Sequence, residues 1–553
     1  MPLAVCAGIL SGTASTTWVL NGKDYRVDTL YHAYAGPGTT RTSLKLEGPV
    51  KFRIFYTTTD LSDEYVDVRA IKHGDRLDGL ATVSETVASH SVGGRDYFAG
   101  VNADFFSGRT PCGITVVDGE IYCSAQSGGW SLFGMNANKL PMMGSGEIAV
   151  NVSLMSGESM NCGNVNRSLA NGQLAIYTSR KGTTTGTVAG TTEVVVHPSD
   201  ISAPLQPGKT VQMTVSSVST AGGAKITSGS YVLSGNGTAA TFLAKMKKGD
   251  VVKMRTAIRF GGITGGQVTQ ALGGCPLILA DGKVLETQNA LDHLTTPQPR
   301  TAVGYDKDRK KLVMLVADGR SSISAGPISK VLAGMMKCAG CSDAMNFDGG
   351  GSSELYVKPF GVINVPSDGS ERKVTDGLYL STNAPEDRSV ATVRFVDHAK
   401  VLQPGEVYRP KFYGYNRYGV LVDTNLAGVR LVTADGSSFS STKPGCYRLE
   451  AEWQGLKASI AVTVSGSGSV GSLTETDGLC LSPNPVKQGA EILVRAEGLI
   501  RAEIVDMSGR TVAEVASADD RCVVMSTGGC CNGIYLVRIF SDKGSHVEKL
   551  IVK

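Results

Sequence analysis

Short runs in which apolar and polar positions alternate, broken by glycine, recur through most of the 553-residue chain and predict strands far more often than helices. Val50–Thr57 (VKFRIFYT) alternates as a half-buried strand does, and Phe98–Phe106 reads as a buried strand running into a turn. LAIYT ending at Thr178, EVVV from Glu193, TVQMTVSSV from Thr210 and SYVLSG from Ser230 fill the middle with further strands. KLVMLVADGR, ending at Arg320, is strongly apolar until its last residues. Two helices stand out. Thr82–Ser91 predicts a short one with Ser84 as its cap. A longer one follows Pro327, with Ile328, Val331, Leu332, Met335 and Met336 at helical spacing, and ends near Cys338–Gly340.

The strands Glu354–Val357 and Leu378–Ser381 close a first unit near residue 383, which predicts an α+β domain, β-rich with few helices. From 389 to 464 the runs shorten (ATVRFV, GVRLV, CYRLEAEW, ASIAVTV) around the breaks Pro404-Gly405 and Pro444-Gly445, as in a small Ig-like β-sandwich. A Gly/Ser linker over 465–479 leads to a last all-β sandwich at 480–553. Met1–Ser15 runs apolar and then small, like the remnant of a signal peptide.

Composition narrows the function. With 54 Lys and Arg against 50 Asp and Glu, net charge is +4, and no basic face is concentrated enough for nucleic acid. No apolar run approaches a membrane span. Glycine, at 68 residues, suits turn-rich β structure, and 12 cysteines exceed what a reducing cytosol favours. Cys112 and Cys123, flanking the Asp118-Gly119 turn, are placed to pair across a hairpin, whereas Cys338-Ala339-Gly340-Cys341 sits at a helix end and reads as packing or a disulfide, not a redox motif.

Four segments carry candidate chemistry. Asn102-Ala103-Asp104-Phe105-Phe106 leaves a buried strand with an amide and a carboxylate beside two aromatics. Arg300-Thr301-Ala302-Val303-Gly304 offers a guanidinium fork next to a strand. Asp318-Gly319-Arg320 places two charges just past an apolar strand. Asn346-Phe347-Asp348-Gly349-Gly350-Gly351-Ser352-Ser353 joins a carboxylate, three glycines whose amides suit an anion and two hydroxyls. Each has a bland reading too: an Asx turn, a surface ion pair, a DG turn, a glycine bend.

In this order the four segments resemble the phosphodiester glycosidase family, with Phe347 where the family has leucine and with Pro366–Gly369 and Glu371-Arg372 matching a further motif. The resemblance covers about residues 45–383 of a domain expected over 16–383, with 149–255 only loosely matched. It implies hydrolysis of a sugar-1-phosphodiester by C–O cleavage, releasing free sugar and a phosphomonoester. A phosphomonoester leaves readily, since its second pKa is about 6. Anion stabilisation therefore weighs more than leaving-group protonation. Asp104, Asp318 and Asp348 are the candidate catalytic carboxylates, with Glu354 in reserve. Asn102, Arg300, Thr301, Arg320, Gly349, Gly350, Gly351, Ser352, Ser353 and Arg372 are the candidate substrate-binding residues.

No cofactor is required by this chemistry; three carboxylates would nonetheless suit a divalent cation such as Ca²⁺ or Mg²⁺. No His spacing suggests zinc, and His293 reads as a loop residue or a pocket wall. Two alternatives stay open: a metal-assisted phosphodiesterase that cleaves P–O, and a non-catalytic surface glycan-binding protein. The tail resembles a type IX secretion sorting domain, through Ser482-Pro483-Asn484-Pro485, Val505–Arg510, Gly533–Val537 and Lys549–Lys553. The expected partners are thus a glycan or glycolipid phosphodiester and the type IX export machinery, and the expected location is secreted or cell-surface.

Overall fold

The computed structural model describes residues 16–199, 205–260, 263–264, 268–285, 295–433, 436–465, 480–482, 484–496, 498–506, 510–517, 522–542 and 544–553. Met1–Ser15, His293 and most of the 465–479 linker lie outside them. Strands dominate, and three α-helices are present among the described residues: Val83–His90, Gly237–Leu243 and Ser329–Cys338. By contacts the chain divides into two units, one spanning Thr13–Ala391 with Tyr415–Thr424, the other holding Thr392–Gly414 and Asn425–Lys553.

The first unit is built on two sheets packed face to face. A nine-stranded antiparallel sheet has Lys311–Ala317 and Arg300–Tyr305 near its centre, flanked by Phe52–Asp60 and Asp343–Asn346. Both central strands are apolar on both faces because both faces are covered. Val313, Leu315 and Ala317 pack with Val331, Leu332, Met335 and Met336 of the Ser329–Cys338 helix. Leu312, Met314 and Val316 pack on Val68, Phe98, Val101 and Leu378 of the second sheet. That second sheet has five strands, in the order Gly361–Val362, Leu355–Val357, Asp96–Asn102, Asp376–Thr382, Val66–Lys72. Its outer face carries the Val83–His90 helix on Ile71, Tyr97 and Tyr379.

A twelve-stranded sheet made from strands between Thr115 and Gly274, with the core Val150, Ile176, Val194, Leu233, Val252 and Met254, is built from the stretch between the Asn102 and Arg300 motifs. The sheet absorbs the Gly237–Leu243 helix (GTAATFL), which the sequence reading missed because seven residues carry too little periodicity. The Val83–His90 helix is capped by Thr82, not Ser84: Thr82 Oγ1 accepts from the Glu85 amide at 3.0 Å and Glu85 returns to the Thr82 amide at 2.9 Å, a capping box. Ser84 donates to Glu371 instead, at 2.6 Å. Cys112 and Cys123 are free buried thiols and not a disulfide, and Cys338 and Cys341 are free as well.

In the second unit, Ala399–Leu402, Leu456–Val464, Gly445–Trp453 and Arg430–Leu431 form a four-stranded sheet with one parallel pair. The tail places a three-stranded sheet (Cys480–Ser482, Glu491–Arg495, Cys522–Ser526) and a four-stranded one (Thr511–Ala516, Leu499–Val505, Gly533–Ser541, Gly544–Val552) around Ile492, Val494, Ile504, Val537, Ile539 and Leu550. Asn484 of the Ser-Pro-Asn-Pro motif accepts from the Ile551 amide at 2.9 Å, tying the start of this unit to its last strand.

Candidate active site

The loop after Asp343–Asn346 is the crossover from the nine-stranded to the five-stranded sheet, since the next strand, Leu355–Val357, belongs to the latter. Phe347 donates its amide to the Thr301 carbonyl at 2.9 Å and Asp348 to the Ala103 carbonyl at 2.7 Å, so the loop is stitched to one strand end of each sheet. Asn102 completes the seam. Its Nδ2 donates to the Asp348 carbonyl at 2.8 Å, and its Oδ1 accepts from Thr301 Oγ1 at 2.7 Å and from the Glu354 amide at 3.2 Å. Asn102 and Thr301 are fully buried, so both act as a clasp.

The glycines are required by close approach. A Cβ on Gly349 would lie 2.8 Å from the Pro299 carbonyl, and Gly350 has φ +65° with a Cβ direction 3.0 Å from Arg320 Nη2. Gly351 faces Arg372 and Asp368 in the same way. Two of the three amides are already used: Gly349 donates to Asp348 Oδ1 at 2.9 Å and Gly350 to the Pro299 carbonyl at 2.9 Å. The expected three-amide anion nest is thereby reduced, because the bend holds its own carboxylate. Ser352 Oγ accepts from Arg372 Nη1 at 3.3 Å, while Ser353 gives its carbonyl to Asn364 at 2.9 Å.

The three candidate carboxylates have different surroundings. Burial pushes Asp348 up to about 6, against bonds from Ser352 and Gly349. Asp104 is 2% exposed; Oδ2 accepts from the Gly113 amide at 2.6 Å, and Oδ1 has no hydrogen-bond partner among the described residues. Its amide donates to Oδ1 of Asp376 at 2.8 Å, a buried carboxylate that the sequence reading missed. Burial and then the neighbouring Asp376 charge drive Asp104 well above the carboxylate range, and burial raises Asp376 too. Two carboxyls so buried disfavour each other's ionised form. Lys72, whose register partner across the sheet is Asp376, partly offsets this; its ammonium donates to the carbonyls of His73, Gly79 and Thr375 at 3.2, 2.8 and 2.8 Å. The only hint in the sequence was an Asp-Gly opening an otherwise apolar strand.

Asp318 reaches the glycine bend through Asn364, whose Nδ2 donates to it and to the Ser353 carbonyl. Its Oδ1 accepts from Asn364 at 3.2 Å and from the Val365 amide at 3.1 Å, and burial lifts it to about 6. Glu354, fully buried, accepts the Arg372 amide at 2.6 Å, leaves Oε2 without a hydrogen-bond partner among the described residues, and is pushed by burial to about 8.

Of the guanidinium groups, Arg300 is 2% exposed and donates to the main-chain carbonyls of Pro327 and Thr296, both at 3.1 Å, so it braces loops, and burial lowers it to about 10. Arg320 is exposed and held by neutral groups, Gln298 Oε1 at 2.7 Å and Ser367 Oγ at 3.3 Å, with its fork lying over Gly350. Arg372 pairs with Asp368 at 2.5 Å. Among the described residues, no three His, Cys, Asp or Glu side chains are grouped as metal ligands.

The model of the family described as phosphodiester glycosidase matches residues 206–381, and that of the secretion system C-terminal sorting domain matches 481–553. An SPbeta prophage-derived uncharacterized protein, YomE of Bacillus subtilis (strain 168), is 39% identical over 88 residues, 16% of this chain and only 13% of that protein. A hypothetical protein of Synechocystis superposes with a TM-score of 0.51 at 14% identity, covering 62% of each chain. A protein of Burkholderia pseudomallei K96243 gives 0.51 at 18% identity, over 67% of this chain and 99% of the other. These two likenesses show the fold of the first unit. No helix among the described residues is long and apolar enough to cross a membrane. The sorting domain marks an exported protein, secreted or held at the cell surface. The chain carries a phosphodiester glycosidase domain and ends in a secretion-system C-terminal sorting domain.

Proposed function

We propose that this protein hydrolyses a sugar-1-phosphodiester on a glycan or glycolipid by breaking the bond between the anomeric carbon and the phosphate oxygen. The observation that carries this reading is the crossover loop: its Asp348 amide is bound to the carbonyl of Ala103, next to Asp104, whose own amide holds Asp376, and its Gly350 lies under the Arg320 fork. Arg320 is charged, exposed and oriented by neutral partners, so its attraction is left for the phosphate. Arg372, bound to Asp368 and Ser352, positions the bend, and Arg300 braces the loops around it.

With a value about 6, Asp348 is ionised at neutral pH and faces the oxocarbenium-like carbon as nucleophile or as base on water. The Asp104–Asp376 pair keeps a proton and lines the site as a hydrogen-bond donor. In the net reaction the C–O bond breaks with its electron pair on the phosphate oxygen, water supplies hydroxyl to the sugar and its remaining proton to the phosphomonoester or solvent, and the phosphomonoester leaves against Arg320. Asp348→Asn should lower kcat/KM by about 10²–10⁴ while the variant still folds. Hydrolysis in ¹⁸O-labelled water should place the label in the sugar. Label in the phosphate would replace this reading by P–O cleavage, and binding without turnover would replace it by a glycan-binding role.

A further inference from the structure

A cleft of about 780 Å³ lies one residue behind Asp104 and includes none of the residues named from the motifs. Its lining runs from Leu77 to Lys181, wholly ahead of the family match at 206–381. The walls are therefore built by a part of the chain that the shared motifs do not specify. They are polar: Gln126, Asn164 and Gln173 contribute amides, and Gly128, Gly146 and Gly163 leave the backbone open.

Arg167 forms the inner wall. It is 8% exposed and clamped by Nε to the Ser124 carbonyl at 2.6 Å and by Nη2 to the Gly113 carbonyl at 2.9 Å and Cys123 Sγ at 3.1 Å. The amide of that same Gly113 donates to Asp104. Arg167 has no carboxylate in ion-pair reach among the described residues, and its second terminal nitrogen makes no hydrogen bond there. Its charge also acts on the buried Asp104 and Asp376, which it draws toward their ionised forms, while the remaining terminal nitrogen keeps donors for an anion in the cleft. Asn164 also lines the cleft, its Nδ2 fixed to the Ser168 carbonyl at 3.0 Å. Lys181 and Glu147 are the other charged lining groups, leaving Arg167 as the cation at the inner wall.

We propose that this cleft seats a short saccharide chain bearing a phosphate or carboxylate, with the anion on Arg167. The cleft would thus select the part of the substrate beyond the scissile linkage, an inference that rests on the hydrolase reading above. The test is titration of the full chain, by calorimetry and by ligand-observed NMR at millimolar concentration, with maltotriose phosphate, trigalacturonate and neutral maltotriose. Wild type is compared with Ser127→Trp, which fills the cleft from an exposed loop position, and with Asn164→Ala.

An anionic trisaccharide should bind at least about tenfold more tightly than the neutral one, and each variant should weaken it about tenfold. Which of the two anionic probes binds identifies phosphate or carboxylate as the source. Failure of both to bind wild type, or binding that the variants leave untouched, overturns the proposal. The hydrolase reading is judged separately, by wild-type turnover of N-acetylglucosamine 1-(methyl phosphate). Binding without that turnover removes the reaction and leaves the cleft's ligand class standing.

Discussion

Buried carboxylates set the behaviour of the site at the scale of single residues. Glu354 and Asp348 have values near 8 and 6 because burial disfavours their charged forms. A carboxyl raised on folding gives stability that is fully present below its unfolded value and is lost as pH rises through its folded value. For Glu354 that window runs from its ordinary 4.5 to about 8. Melting temperature should therefore fall from pH 5 to pH 9, about where these windows lie. Glu354→Gln, which keeps an acceptor for the Arg372 amide, should flatten the upper part of that curve. A melting temperature that rises over this range would contradict the argument.

Gly273 offers a second test, since a Cβ there would stand 2.6 Å from both Asp104 Oδ2 and Gly113 Cα. Gly273→Ala should cost about 1–3 kcal/mol in denaturant unfolding, as overpacking does. Of the residues around Asp104, the sequence displayed the Asn-Ala-Asp motif but not Asp376, Lys72 or Arg167. None of these is next to Asp104 in the chain, and an isolated charge reads as surface until the fold pairs it.

Among the elements, the segment from Pro366 to Arg372 links two things the sequence shows only as neighbours in a motif. Arg372 holds Ser352 and Asp368 at the glycine bend, while Glu371 accepts from the Ser84 amide at 3.1 Å and from its hydroxyl at 2.6 Å at the start of the Val83–His90 helix. Glu371 thus satisfies a free amide of the first turn and places negative charge where the helix dipole favours it. Thr82→Ala should cost about 1 kcal/mol of stability through the lost cap. Glu371→Ala should weaken stability and also lower kcat/KM, because it loosens the segment that carries Arg372. Equal kinetic effects from the two would show that the segment transmits nothing to the bend. The Ser329–Cys338 helix and the apolar central strands were legible because their patterns are long. The cap was misplaced by two residues because Ser84 and Thr82 are both capping types and only the geometry of Glu85 selects one.

For the whole molecule, the sorting domain has its own core, with Ile492, Val494, Ile504, Val537 and Leu550 all buried. Deleting residues 480–553 should leave the hydrolytic activity of the purified remainder intact while stopping its delivery outside the cell. Fractionation of the producing bacterium, with activity measured in medium and cells, checks both halves. Loss of activity in the purified truncated protein would mean that the tail supports the first unit.

The sequence by itself determined the strand-rich character, the ordered motifs of a phosphodiester glycosidase domain and the sorting tail, because these are local patterns of periodicity and spacing. Only the tertiary structure decided which polar groups meet. It turned Asn102 and Thr301 into a seam, and two of the glycine amides and Arg300 into internal braces. It also left Arg320 over the bend and joined Asp104 to Asp376. The physical reason is that a buried polar group must find its partners across the fold, and hydrogen bonds between strands hundreds of residues apart leave no periodicity to read.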